Sequence, residues 1–159
     1  MSTLVVPRVV RRPAVPHAVV VSIVSWLAAI LAGMAETLVR LAVAEPPTGG
    51  EVAARAGIYL VLAALVLLLR TGHDPIRWTV VLVLGVLGSL SLVVEPVRAL
   101  LGGASAATFL VTASLPELAA AGLRALHLVE VLVALVLLFH PSATAFFRMS
   151  RTERRSSQV

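Results

Sequence analysis

Four apolar segments, each long enough to cross a lipid bilayer as a helix, dominate this chain. About twenty apolar residues at 1.5 Å per residue span the ~30 Å hydrocarbon layer. The first segment begins at Ala18 and runs to about Ala44, where Glu45-Pro46-Pro47 stops any helix. Thr48-x-x-Glu51 is a capping-box pattern that restarts a helix, and this one continues to Leu69 or Arg70. Thr71-Gly72 closes it, and Asp74-Pro75 supplies an N-cap and a first-turn proline for the third. The third helix continues past a kink at Pro96 and stops at Gly102-Gly103. Ser114-x-x-Glu117, with Pro116 in the first turn, opens a fourth that lasts to His140-Pro141. The expected helices cover about 18–44, 50–70, 75–101 and 115–140. Nothing alternates with period two, so a β-barrel is not the reading. The expected fold is all-α: a polytopic, antiparallel four-helix transmembrane bundle over residues 17–141, between a basic arm (1–16) and a basic tail (142–159).

Composition supports that class. The 159 residues are 59% hydrophobic and only 13% charged, whereas a soluble domain is about one quarter charged. The length suits one compact unit. Cysteine is absent, which excludes disulfides and thiolate metal sites. Every basic residue is Arg, and neither Lys nor Asn occurs. Both missing residues have AT-rich codons, which points to a GC-rich bacterial genome.

Charge orients the spans. Pro7, Pro13 and Pro16 keep the arm extended around Arg8, Arg11 and Arg12. With the N-terminus cytoplasmic, the inner side also receives Arg70, Arg77, Arg148, Arg151, Arg154 and Arg155. The outer loops and helix ends receive Arg55, Arg98 and Arg124 with Glu45, Glu51, Glu95 and Glu117. The positive-inside rule then places both termini in the cytoplasm, and with the bacterial residue usage the expected location is a bacterial plasma membrane. Arg8, Arg11, Arg12, Arg148, Arg151, Arg154 and Arg155 are expected to meet anionic lipid headgroups, at about 1 kcal/mol each. Nucleic acid is the weaker partner class, because aromatic interleaving is sparse. Trp78, Phe146 and Phe147 read as an interfacial belt on the same side. The arginines, the apolar run and small Gly33 and Ala35 also have the outline of a cleaved secretory signal. The run is longer than such a signal needs, and three spans follow. Arg11-Arg12 lacks the surroundings of a twin-arginine signal.

Membrane helices gain little by hiding Leu from Leu, so their contact faces are marked by small residues. At about 100° per residue, Ser22, Ala29, Gly33, Glu36 and Arg40 share one face of the first helix, with Leu27, Leu31 and Leu38 opposite. Ala53, Gly57 and Ala64 make the corresponding stripe on the second helix. Gly85, Gly88 and Ser89 do so on the third, and His127, Glu130 and Ala134 share a face of the fourth. The small stripes coincide with the ionisable residues, which turns the charges inward. The resulting intramembrane polar cluster is Glu36, Arg40, Glu95, Arg124, His127 and Glu130. Counted from the cytoplasmic ends, Glu36, Glu95 and Arg124 stand roughly 22–28 Å up, His127 roughly 18 Å and Glu130 roughly 13 Å. A charge at the bilayer centre costs about 2.5–3.5 kcal/mol, so Glu130 is expected to be paired or protonated.

The cluster has two readings. In the first, His127–Glu130 and Glu36–Arg124 or Glu36–Arg40 are pins that fix rotation and register. In the second, Glu130 with His127 is a proton or cation site in a carrier. Carriers show broken helices or paired repeats, and no convincing internal duplication is present. His127-x-x-Glu130 lacks the second half that a helical di-metal site requires, so no metal is expected. No phosphate loop, zinc-protease pair or serine elbow occurs. Ser22, Ser25, Ser89 and Ser91 have no base placed to activate them. No catalytic residue and no cofactor is therefore expected. Residues 102–116 are too short to span and too apolar for an ordinary loop; a short interfacial helix, or a flap over the outer mouth, is expected there.

The hairpin "RTGHDPIRWTVVLVL" and the final "LLFHPSATAFFR" resemble the small four-span integral membrane proteins abundant in actinobacteria. The resemblance covers about a quarter of the chain. It implies a membrane location and carries over no catalytic residue. The functional expectation is a non-catalytic accessory or partner-binding subunit, with a small proton-coupled carrier as the alternative. The expected partners are the lipid bilayer and a membrane protein or a second copy of the chain.

Overall fold

The computed structural model describes residues 14–42 and 47–156, with side chains as far as residue 152. Arg8, Arg11, Arg12 and Glu45, and the side chains of Arg154 and Arg155, lie outside the described part. Every element in it is helical: α1 (His17–Val39), α2 (Gly49–Leu67), α3 (Asp74–Val80), α4 (Ser89–Leu101), α5 (Ala106–Thr112), α6 (Leu115–Leu138) and α7 (Pro141–Ser156). A 3-10 turn extends α1 over Arg40–Ala42 and another extends α2 over Leu68–Thr71. A π-helical stretch, Val81–Gly88, joins α3 to α4 as one rod. Among the described residues, four helices are long and apolar enough to cross a membrane: His17–Ala42, Gly49–Thr71, Asp74–Leu101 and Leu115–Leu138. The all-helical, four-span architecture expected from the sequence is present.

The helix ends follow local chemistry. Thr48 Oγ1 accepts from the Glu51 amide at 3.3 Å, and the Glu51 carboxylate accepts from the Thr48 amide at 2.7 Å. Those bonds satisfy amides that the first turn of a helix leaves without partners. Glu117 reaches back to the Ser114 amide in the same way, also at 2.7 Å. Pro96 lies inside α4, which nonetheless continues to Leu101. Nothing in the residue pattern announces the π-helical stretch. It contains Gly85, where a Cβ would come to 3.2 Å from Leu135 Cδ2 and 3.7 Å from Trp26 Cη2. The missing side chain lets the third span close onto both neighbours.

Helix α1 is the hub. It packs along α6 over most of its length and against α2, while the third span rests chiefly on α6. The Ser22 hydroxyl donates to the Ala134 carbonyl at 2.8 Å, which fixes the α1–α6 register at one end. Ser22, Ala29, Gly33 and Glu36 are buried on α1, while Leu31 and Leu38 are exposed. The basal end, where α1 begins and α2 meets α3, is closed by Val66, Leu69, Leu138 and Phe147.

Three expectations need correcting. On α2, the small stripe does not face the bundle: Ala53, Gly57 and Ala64 are exposed, and a Cβ at Gly57 would meet nothing within 4 Å. The packed face is instead Tyr59, Leu62, Ala63, Val66 and Leu69. Since α1 supplies the small residues of this contact, α2 supplies the large ones. Next, Phe146 and Phe147 are not interfacial, being 2% and 1% exposed. Pro141 ends α6 but also occupies the first position of α7, where a missing N–H costs nothing. Helix α7 folds back so that Ala143, Phe146, Phe147 and Ser150 are buried, with Arg148 and Arg151 exposed. Gly72, at φ 68°, makes room for it: a Cβ there would lie 2.9 Å from Ser150 Cβ and 3.2 Å from Phe146 Cε1. Trp78 stays exposed, edge-on to Phe139 at 5.7 Å. Last, of the two alternatives for residues 102–116, the short helix forms as α5, exposed throughout, while the flap does not: no residue of that segment lines the cleft.

Candidate functional site: a charged cleft at the distal end

Toward the other end of the bundle, four of the six cluster residues meet. Glu36, only 6% exposed, is brought from α1 against Arg124 of α6. Its Oε1 accepts from Arg124 Nη2 at 2.8 Å, from Arg124 Nε at 3.3 Å and from Arg40 Nε at 3.0 Å. Both pairings anticipated for Glu36 thus occur together, on one oxygen. Glu95 of α4 closes the network, its Oε2 standing 3.1 Å from Arg124 Nη1 and 3.6 Å from Arg40 Nη2. Two carboxylates and two guanidinium groups from three spans balance in formal charge. Arg124 uses the fork geometry that lets one guanidinium hold two carboxylates. Arg40 is one turn beyond Glu36, so its bond is an i,i+4 contact within the α1 rod.

The network forms one wall of a cleft of about 310 Å³ between α1, α2, α4 and α6. Arg55 and Tyr59 of α2 stand on the facing side, and His127 of α6 and Gly33 of α1 also line it. A Cβ at Gly33 would lie 2.8 Å from Tyr59 Oη and 3.4 Å from His127 Nδ1. Glycine here admits two polar groups to the bundle interior. His127 Nδ1 is buried and has no hydrogen-bond partner.

Glu130 is placed apart from this cleft and does not line it. Its Oε2 is buried without a partner, and no hydrogen bond joins it to His127. The His127–Glu130 pin is therefore not formed: the two lie one turn apart along α6, with His127 at the cleft. The α1–α6 register puts Trp26, one turn beyond Ser22, level with Glu130, one turn before Ala134. The Trp26 indole N–H is likewise buried and unpartnered.

Sequence reasoning missed Tyr59, Arg55 and Arg77. A lone tyrosine in an apolar helix was the available signal for the first. Arg77 counted only toward the basic side, yet it is 5% exposed. Its Cζ lies 4.4 Å from the Phe139 ring centre and 5.2 Å from that of Phe147. Asp74 at 3.9 Å and the Thr144 hydroxyl at 3.4 Å complete its surroundings. That guanidinium locks α3 to α7 rather than meeting headgroups. Arg148 and Arg151 of the proposed headgroup set are exposed on α7. Among the described residues no group of three His, Asp or Glu is placed to hold a metal ion. No protein-family model, curated protein or solved structure matches the chain.

Proposed function

We propose that the chain is a non-catalytic accessory subunit that binds a partner within the membrane. The single observation that carries this reading is the outward turn of the α2 stripe. Small residues let membrane helices approach closely, and a face built of them is wasted on lipid. Ala53, Gly57 and Ala64 are exposed, with open space over Gly57, so the surface suited to another helix is unused inside the bundle. The partner is a second copy of this chain or another membrane helix. On the same reading the protein resides in a bacterial plasma membrane with both termini cytoplasmic, as the arginine bias favours. The resemblance to small actinobacterial membrane proteins agrees with that setting.

The carrier alternative draws on the unpartnered atoms of His127 and Glu130. It ranks second because Glu130 lies outside the cleft. Proton flux in proteoliposomes that is lost in Glu130→Gln would move it to first place.

The chain has no cysteine, so a single introduced thiol is unambiguous. Oxidative cross-linking of Gly57→Cys in native membranes is expected to give a discrete species of higher mass. Leu87→Cys, exposed on the third span, serves as the control and is expected to stay monomeric. Equal behaviour of the two variants would sink the partner reading.

A further inference from the structure

The donors and acceptors around the distal cleft do not balance. Its walls carry two carboxylates, Glu36 and Glu95, against three guanidinium groups, Arg40, Arg55 and Arg124. Each guanidinium offers five N–H donors and no acceptor. Arg124 places three of them on Glu36 and Glu95, and Arg40 places one on Glu36. Arg55 makes no ion pair within 4 Å and no side-chain hydrogen bond among the described residues; Glu51, one turn back on α2, is its charged neighbour, and it is exposed at the cleft. Tyr59 Oη adds a hydroxyl donor, and the His127 Nδ1 edge can donate in the matching tautomer. Both lie within 3.4 Å of one point, the vacant Cβ position of Gly33. Arg40 and Arg124 bond one oxygen of each carboxylate, Oε1 of Glu36 and Oε2 of Glu95, and the three guanidinium groups leave the cleft with one excess positive charge that suits an anion.

We propose that this cleft binds a phosphate group, held by Arg55 at the mouth and by Tyr59 and His127 at the floor. A phosphate offers more acceptor oxygens than a carboxylate and suits a guanidinium fork in two-point contact. The group comes either from a phosphodiester lipid headgroup or from free phosphate. The cleft's location bears on that choice. Arg55, Ile58 and Tyr59 of α2 face Ser91, Leu92 and Glu95 of α4 across it. Ile58 and Leu92 give the cleft apolar side walls. A lipid could therefore place its headgroup beside Arg55 at the distal boundary with its chains below. The proposal concerns a ligand and stands whether or not α2 binds a partner helix.

The test uses the full chain in a non-ionic, phosphate-free detergent. Thermal unfolding is followed with added inorganic phosphate, with short-chain phosphatidylglycerol, and with acetate at matched ionic strength. A melting shift that saturates with inorganic phosphate supports the site with free phosphate as its source. A shift with phosphatidylglycerol alone supports it with a headgroup as the source. In either case Arg55→Gln is expected to weaken the half-saturation point tenfold or more, and Arg70→Gln, exposed at the basal end, to leave it unchanged. No saturable shift with either phosphate source would overturn the proposal. So would an equal shift with acetate, or equal behaviour of the two variants. Tyr59→Phe keeps the ring that packs on α1, and its own weakening of binding checks the floor without unfolding the bundle.

Discussion

Arg124→Ala is expected to destabilise the bundle by about 3 kcal/mol, whereas Arg40→Ala costs about 0.5 kcal/mol. Both side chains bond the same oxygen of Glu36, at 2.8 Å and 3.0 Å, so distance does not separate them. Context does. Arg124 joins α6 to α1 and α4, and its side chain is 17% exposed. Arg40 shares a rod with Glu36, is 33% exposed, and reaches Glu95 of α4 only at 3.6 Å, on a carboxylate that is 68% exposed. Breaking a buried ion pair from one side costs about 3–5 kcal/mol, because the partner charge stays buried. Arg40 remains to relieve Glu36, which places the Arg124 effect at the low end. Exposed i,i+4 pairs contribute about 0.3–0.5 kcal/mol. Neutral interhelical contacts in membranes average only ~0.6 kcal/mol, so an Arg124 loss of that size would mean the carboxylate finds water in the cleft. Unfolding equilibria of both variants in one detergent system settle the order. Replacing Glu36 by Leu together with Arg124 by Met should recover much of the loss, since a well-packed apolar pair avoids the desolvation cost.

The second large effect is at Trp26. Its side chain is fully buried, with Cη2 close against the Gly85 position of the π-helical stretch. Trp26→Ala is expected to cost about 3 kcal/mol, near the low end for aromatic truncation in a core. The reason for the low end is the solvent. Lipid is as apolar as the bundle interior, so what is lost is packing and the filled volume rather than transfer from water. Trp26→Phe should cost less than about 1 kcal/mol. It leaves a smaller void and also removes the buried indole N–H, which has no acceptor. Denaturant titration followed by circular dichroism measures both. If Trp26→Phe were as damaging as Trp26→Ala, the indole nitrogen would be making a bond, with Glu130 at the same level as the first place to look.

The architecture was legible because it is written in breaks. Glu45-Pro46-Pro47, Thr71-Gly72 and Gly102-Gly103 interrupt apolar runs, and a helix cannot ignore them. The capping pairs Thr48–Glu51 and Ser114–Glu117 are local, so the bonds they make follow from spacing alone. Helix faces were legible on α1, where small residues and charges fall on one stripe. They misled on α2, where the small stripe is exposed and Tyr59, Leu62, Val66 and Leu69 make the packed face instead. The phenylalanines of α7 were misread too. Their burial depends on α7 turning back under the α2–α3 hairpin, and nothing within residues 141–156 states that direction.

The cluster was partly legible. Glu36, Glu95 and Arg124 were linked by depth and Arg40 to Glu36 by its face on α1, and the four meet. His127 and Glu130 were linked by i,i+3 spacing, which brings side chains near each other without obliging them to bond. Tyr59 and Arg55 enter the cleft because Gly33 leaves room on the opposite helix, and that is a relation between positions far apart in the chain.

The most direct measurement on four membrane spans with inward charges is a spin-label scan. Single cysteines placed from Leu27 to Val39, labelled and reconstituted in bilayers, would be read for collisions with oxygen, which concentrates in lipid. The expected result is a helical period with maxima at Leu31 and Leu38 and minima at Ala29, Gly33 and Glu36. Flat accessibility to oxygen with high accessibility to a water-soluble relaxant, or a pattern with Glu36 at a maximum, would contradict it.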